Sequence, residues 1–330
     1  MRIDSSAPAR IDLAGGTYDI WPLYLLHDRA QTINAAISLR AHCTLTSRRD
    51  YRVSIVSDDT GESVEAAGPD ALGVDTLPLV ARLVRHFGAR GVEVRTRSES
   101  PVGAGIAGSS ALNVAVAAAL AAWTGRPLAD EPLLTIAMNL EAQVLGVPTG
   151  VQDYRPALYG GVSAVELDVT GVRRVALAVD PVELDQRLVV AYTGASRQSG
   201  INNWDVMVRR LNGDPVVRAA FDGIRDAALG VRDALERADW PAAALHLSAE
   251  WAHRKRLAPG VTTPAIDALL ARAQAAGATA GKVCGAGGGG CVVCLTDPDR
   301  RLRVASALSA AGASILPFTI DTHGLRLTRQ

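Results

Sequence analysis

Gly103, Gly105 and Gly108 fall within six residues of chain, and Ser109 and Ser110 follow at once, opening an Ala/Leu/Val run that reaches Trp123. Glycines let the backbone approach a ligand closely. A helix that starts there turns unpaired N–H groups and a positive dipole end towards it, which suits phosphate. The letters match G-x-G-x-x-G, the dinucleotide turn, but the context does not. The strand before it, Val92 to Arg97, alternates apolar and polar residues, and Pro101 intervenes. No Gly-Lys-Ser/Thr follows, so it is no P-loop either. A phosphate loop of another kind is the reading, with a dinucleotide turn and a glycine-rich packing turn as the alternatives.

Three carboxylates stand near breaks in the pattern. Asp19 follows Gly15, Gly16 and Thr17, where it would accept hydroxyls of a ligand or cap a tight turn. Glu141 occupies the last turn of a predicted helix, the wrong end of the dipole for a carboxylate, so solvent or a bound cation must compensate. Asp153 follows the punctuated stretch Gly146 to Gly150; it is a candidate general base or a turn aspartate. Arg197 sits among the hydroxyls of the loop from Thr193 to Gly200. The tract His253 to Arg256 reads as a solvated helix end, with anion binding as the alternative. Gly285, Gly287 and Gly290 repeat the G-x-G-x-x-G letters but run into a strand, so a close ligand or backbone approach explains them better.

The elements that must position these groups follow from periodicity. Strands are expected at 9–13, 32–47 and 51–57, with Arg48 to Asp50 as a hairpin turn. A helix at 77–87 and a strand at 91–97 lead to the glycine loop. Helices at 111–123 and 130–145, a meander over 162–179 and a strand at 188–192 come next. Helices at 202–211, 215–236, 241–257, 264–276 and 299–311 and a last strand at 314–320 complete the chain, with a boundary near Pro181. At 330 residues and 48% hydrophobic composition the chain can bury a large core in two domains. A net charge of zero points to neither nucleic acid nor an anionic membrane. No signal segment is apparent, and the apolar run before Trp123 is too short to span a bilayer. Of the four cysteines, Cys43, Cys284, Cys291 and Cys294, the last two lie three apart on a predicted strand. They point to opposite faces and do not share an ion; buried thiols in a reducing cytoplasm are expected.

The three glycine segments, Pro8 to Asp19, Pro101 to Ala111 and Lys282 to Leu295, in this order, resemble the three motifs of the GHMP kinases, and the resemblance spans essentially the whole chain. The stretches Tyr192 to Ser199, Glu250 to Arg256, Gly281 to Gly290 and Gly150 to Tyr154 lean towards the bacterial D-glycero-D-manno-heptose 7-phosphate 1-kinases. That resemblance implies an α+β fold with a mixed α/β N-terminal domain (1–180) carrying the ATP loop. A helix-rich, ferredoxin-like C-terminal domain (181–330) follows, and the active site lies in the cleft between them. It implies that Pro101, Gly103, Ala104, Gly105, Ala107, Gly108, Ser109 and Ser110 bind ATP and that Ser109 and Glu141 hold Mg²⁺. Asp153 would be the base and Arg10 its cationic neighbour. Gly15, Gly16, Thr17, Asp19, Arg197, Gly285, Gly287 and Gly288 would meet the acceptor. The expected activity is transfer of the γ-phosphate to the C1 hydroxyl of a sugar, with heptose 7-phosphate first and an unphosphorylated hexose (galactose, mannose or fucose) or a mevalonate-like alcohol as alternatives. If a 7-phosphate is present, Arg197 and the tract Arg254 to Arg256 are the candidates to bind it. A cytoplasmic enzyme is implied, with a small-molecule partner, no nucleic acid or membrane, and room for a homodimer. A non-catalytic binding protein on the same scaffold is the rival class. Ala107 and Gly108 depart from the motif by lacking a hydroxyl; Gly16 and Thr17 stand where galactokinases carry Glu-His, and Tyr18 where the heptose kinases more often show a third glycine.

Overall fold

The computed structural model describes residues 1–196 and 199–330. The first sheet is built on β1 (Arg2–Ala14) and β2 (Ala30–Ser47), which run antiparallel. β3 (Val53–Ser57) and β4 (Ser63–Ala66) form a hairpin, and α1 (Pro78–Phe87) leads into β5 (Val92–Ser98). The expected hairpin at Arg48 to Asp50 is corrected here. β5 inserts between β2 and β3, antiparallel to the first and parallel to the second. A parallel pair needs a crossover, and the passage through β4 and α1 supplies it. Val92 and Val94, buried on β5, then face the same core as Leu45 and Ile55.

α2 (Gly108–Trp123), α3 (Asp130–Leu145) and the short α4 (Tyr154–Tyr159) cover this core. α2 is buried nearly all round, as its alanine-rich sequence predicts. β6 (Val162–Asp168) pairs with the N-terminal half of β2 and with β7 (Gly171–Ala176). Along β1, Ile3 and Ala7 belong to the helix-covered core, whereas Ala9, Ile11 and Leu13 pack with residues of the second half. Arg10 and Asp12 alternate with them and point the other way.

The second sheet has the order β11-β8-β10-β9 and is antiparallel throughout. Its elements are α5 (Pro181–Arg187), β8 (Leu188–Tyr192), α6 (Ser199–Leu211), α7 (Pro215–Glu236), α8 (Trp240–Arg254) and α9 (Pro264–Ala276). β9 (Ala278–Val283), β10 (Cys291–Thr296), α10 (Arg301–Ala310) and β11 (Ser314–Ile315) follow. Local chemistry fixes the helix starts. Asp180, Asp214, Asp239 and Thr263 each accept a hydrogen bond from a first-turn N–H, and a proline stands at the first or second helical position. α2 differs: Ala107 at its cap position has φ +62° and no side chain caps it. Cys291 packs in one cluster and Cys294 in another, so the strand does separate them.

The expected strand at 314–320 is only two residues long, because the chain then turns back to the first sheet. Ile320 bridges Ile37, and β12 (Arg326–Arg329) pairs with β1. Arg40 fastens this tail. It is ion-paired with buried Asp321 and donates Nη2 to the carbonyls of Ser6 and Gly324, each at 2.7 Å. The tail in turn closes on α4, with Leu325 N donating to Leu158 O at 3.0 Å. Arg40→Met takes the close ion pair from buried Asp321, leaving it Arg326 at 3.8 Å and the N–H groups of His323 and Gly324, and should cost about 3 kcal/mol. Urea unfolding should show that loss; a change below about 0.5 kcal/mol would contradict the clasp, since ordinary surface substitutions stay within that range.

Candidate active site

One cavity of about 500 Å³ collects most of the predicted residues. Pro101, Gly103, Ala104, Gly105, Ala107, Gly108, Ser109 and Ser110 all line it, together with Arg10, Thr17, Asp19, Glu141, Asp153 and Gly285. Because no side chain caps α2, its first-turn N–H groups remain available at this wall. The glycine loop is held from behind. Cys291 N donates to Ala104 O at 2.7 Å, and a Cβ on Gly290 would lie 2.6 Å from the same oxygen.

Arg10 reaches the cavity from β1 and is 2% exposed. Its Nε and Nη2 donate to Asp153 Oδ1 at 2.9 and 2.6 Å, while Nη1 donates to Gly105 O at 2.9 Å. One guanidinium therefore fixes both the carboxylate and the glycine loop. Burial works against its charge, but Asp153 and then Asp12 more than offset that, so its pKa is raised. Asp153 stands at the N-cap position of α4 without capping it, and its carboxylate goes to Arg10 instead.

Glu141 is 6% exposed at the end of α3. Three hydroxyls converge on it: Ser109 Oγ at 2.7 Å, Ser110 Oγ at 3.0 Å and Tyr154 OH at 2.7 Å. These donors stabilise a carboxylate that the helix dipole disfavours. Tyr154 is a site residue that the sequence reading passed over; its position next to Asp153 was the available signal. Asp19 is 2% exposed. Its Oδ2 accepts from Gln152 N at 2.9 Å, and Val151 N donates to its carbonyl at 3.2 Å, which straps the loop carrying Asp153 to the first glycine segment.

Other predicted residues lie elsewhere. Gly15, Gly16, Gly287 and Gly288 do not line the cavity. Gly287 and Gly288 face the backbone of Val261 and Gly260, so close packing accounts for them. Arg197 lies outside the described residues. The solvated reading of the tract at 253–256 is wrong for Arg254, which is 1% exposed and ion-paired with Glu250; the i, i+4 spacing of those two on α8 was the missed signal. Asn203, Trp204 and Met207 of α6 also reach the cavity, and nothing in their sequence pattern marked them. Among the described residues no cluster of three or more His, Cys, Asp or Glu side chains could hold a metal, and no helix is long and apolar enough to cross a membrane.

Burial, and next to it the charge of Asp153, pushes the Asp19 carboxyl up to about 6. A carboxyl raised in the folded state keeps a proton that the unfolded chain releases, so stability falls as pH rises from about 4 to about 6 and levels off above. Asp19→Asn removes that contribution while retaining an oxygen for Gln152 N. The variant should gain urea resistance relative to the parent progressively over this pH window; a difference independent of pH would contradict the assignment.

Comparison with known proteins identifies the family. The model for the GHMP kinases N terminal domain matches residues 76–161, and that for the GHMP kinases C terminal matches residues 231–314. The chain is 29% identical to a D-glycero-alpha-D-manno-heptose 7-phosphate kinase of Campylobacter jejuni, over 99% of each. The structure of a putative sugar kinase from Campylobacter jejuni superposes with a TM-score of 0.79 at 28% identity, over 100% of this chain and 98% of that one. A D-glycero-D-manno-heptose 1-phosphate kinase from Bacteriodes thetaiotaomicron gives 0.80 at 25% identity, over 99% of each. With its N- and C-terminal models matched in order, and with such relatives sharing its full length, the chain belongs to the GHMP kinases.

Proposed function

We propose that the protein is an ATP-dependent sugar kinase that phosphorylates the anomeric C1 hydroxyl, with D-glycero-D-manno-heptose 7-phosphate as acceptor. The observation that carries this reading is the Arg10–Asp153 pair, set in one cavity with the glycine loop at Gly103 to Gly108. Phosphoryl transfer asks a protein mainly for positioning and charge neutralisation. The loop and the N-terminus of α2 receive the phosphates. Asp153 accepts the proton from the attacking hydroxyl, and Arg10 keeps the carboxylate in place and faces the charge that develops on the transferring group. The heptose assignment rests on the relatives of that activity. In the same reading, residues 1–180 form the nucleotide-binding domain and 181–330 the second domain, with the tail returning to the first sheet.

The residues present fit Mg²⁺. Ser109 and Glu141 offer hard oxygen donors beside the phosphate loop, and one or two carboxylate ligands with substrate phosphates are what this ion usually takes. Bound there, Mg²⁺ would supply neutralisation of phosphate charge. Tyr154 would keep the Glu141 carboxylate aimed while Ser109 turns to the ion.

Asp153→Asn should lower kcat by about 10²–10⁴-fold while a fluorescent ATP analogue still binds; near-parent turnover would remove the base. The acceptor is tested by ADP release with Mg·ATP against heptose 7-phosphate, mannose, galactose, fucose and mevalonate. Saturable turnover with heptose 7-phosphate alone is expected. Turnover confined to an unphosphorylated acceptor would discard the 7-phosphate assignment and keep the catalytic groups.

A further inference from the structure

Four charged side chains lie fully buried behind the wall formed by Thr17 and Gly285. Asp12, Glu250 and Lys282 are 0% exposed and Arg254 is 1% exposed. They come from β1, α8 and β9, and their charges cancel. Lys282 Nζ lies 3.4 Å from Asp12 Oδ2 and 3.3 Å from Glu250 Oε2. Arg254 Nε donates to Glu250 Oε1 at 2.8 Å, and its Nη2 stands 3.8 Å from Asp12 Oδ2. The cluster is loosely satisfied: neither carboxylate oxygen of Asp12, nor Oε2 of Glu250, accepts a hydrogen bond from the described groups. Burying charges costs about as much as their attraction returns, so such a cluster is weak support for stability. Its contribution is better sought in what it holds.

Arg254 directs its remaining donors at two loops. Nη2 donates to Gly16 O at 3.0 Å, and Nη1 to Thr17 Oγ1 at 3.2 Å and to Gly285 O at 3.4 Å. Thr17 has φ +76°, a left-handed conformation that a β-branched residue adopts only when its surroundings impose it. Gly16 is pressed onto the same cluster: a Cβ there would lie 2.5 Å from Asp12 Oδ2 and 3.1 Å from Arg254 Nη2. Thr17 and Gly285 both line the cavity, and Asp19 follows two residues after Thr17.

We infer that Arg254 is a positioning residue for the acceptor: its guanidinium holds Thr17 in the left-handed conformation and ties the first glycine segment to the third at Gly285. Asp12 links this clamp to the base. It stands two residues from Arg10 on the same side of β1, so the charge cluster has Arg10 and Asp153 at one end and the acceptor loop at the other. The inference deepens the kinase reading and rests on it for the identity of the acceptor.

Arg254→Lys keeps the charge and loses the planar fork. It should raise KM for heptose 7-phosphate by about tenfold or more while KM for ATP stays within about twofold, the signature of lost acceptor placement. Thr17→Val should give the same split, whereas Thr17→Ser, which keeps the hydroxyl that Arg254 meets, should leave both KM values near those of the parent. The double variant Arg254→Lys/Thr17→Val should be no worse than either single one, because the two side chains act as one unit. Amide hydrogen exchange without any substrate gives a second measurement. In Arg254→Lys, exchange should accelerate at residues 16–20 and 285–287 and stay unchanged in α2. That result stands whether or not the parent turns over heptose 7-phosphate, so a failed acceptor assignment is distinguishable from a failed clamp. If the lysine variant does not fold, the two Thr17 variants carry the kinetic test. Equal losses in both KM values, additive effects in the double variant, or unchanged exchange in the two loops would overturn the inference.

Discussion

The site depends on one buried cation. Arg10 emerges from β1, is almost sealed from solvent, and has three donors committed in two directions: to Asp153 at the start of α4 and to Gly105 in the glycine loop. A guanidinium suits this place because its fork has fixed geometry and keeps its charge when buried. Both Asp153 and the glycine loop are thereby registered against the same strand. Asp153 could not be placed as well by α4 alone, a helix of six residues that cannot hold itself together. It is fixed instead by Arg10 at one end and by the C-terminal tail, through Leu158, at the other.

The glycines illustrate a division that a sequence pattern cannot express. The second segment borders the cavity: Gly103, Gly105 and Gly108 line it, and a Cβ on Gly103 would collide with the Ser196 side chain. Most of the third segment is glycine-rich because backbone must approach backbone. Gly287 closes on Val261 and Gly290 on Ala104, so only Gly285 and Ala286 reach the cavity. Both uses exploit the missing Cβ. The same letters therefore line the cavity in one place and hold that lining from behind in the other.

Much of this was legible in the chain. Helices α7, α8 and α9 lie close to where their prolines and periodic apolar residues put them, whereas α5, which also starts Asp-Pro, was not expected. The loop that lines the cavity was marked by glycines leading into hydroxyls and an apolar helix. Glu141 was conspicuous as an acid at the wrong end of a dipole, and three hydroxyls now account for it. What stayed hidden depended on contacts distant in sequence. The insertion of β5 between β2 and β3 turns on a parallel pairing that no local pattern specifies. Arg254 looked like one of several basic residues at a helix end, because its partners Asp12, Thr17 and Gly285 come from other parts of the chain. The reach of α6 into the cavity through Trp204 and Met207 was invisible for the same reason.

The central claim is that Asp153, fixed by Arg10, delivers an anomeric hydroxyl to the γ-phosphate of ATP. The most direct measurement is phosphorus NMR of the product formed from heptose 7-phosphate and Mg·ATP. The account predicts one new phosphomonoester resonance coupled to the anomeric proton, alongside the unchanged 7-phosphate, with ADP in equal amount. ADP accompanied only by inorganic phosphate, or a new phosphate on any other carbon, would contradict it.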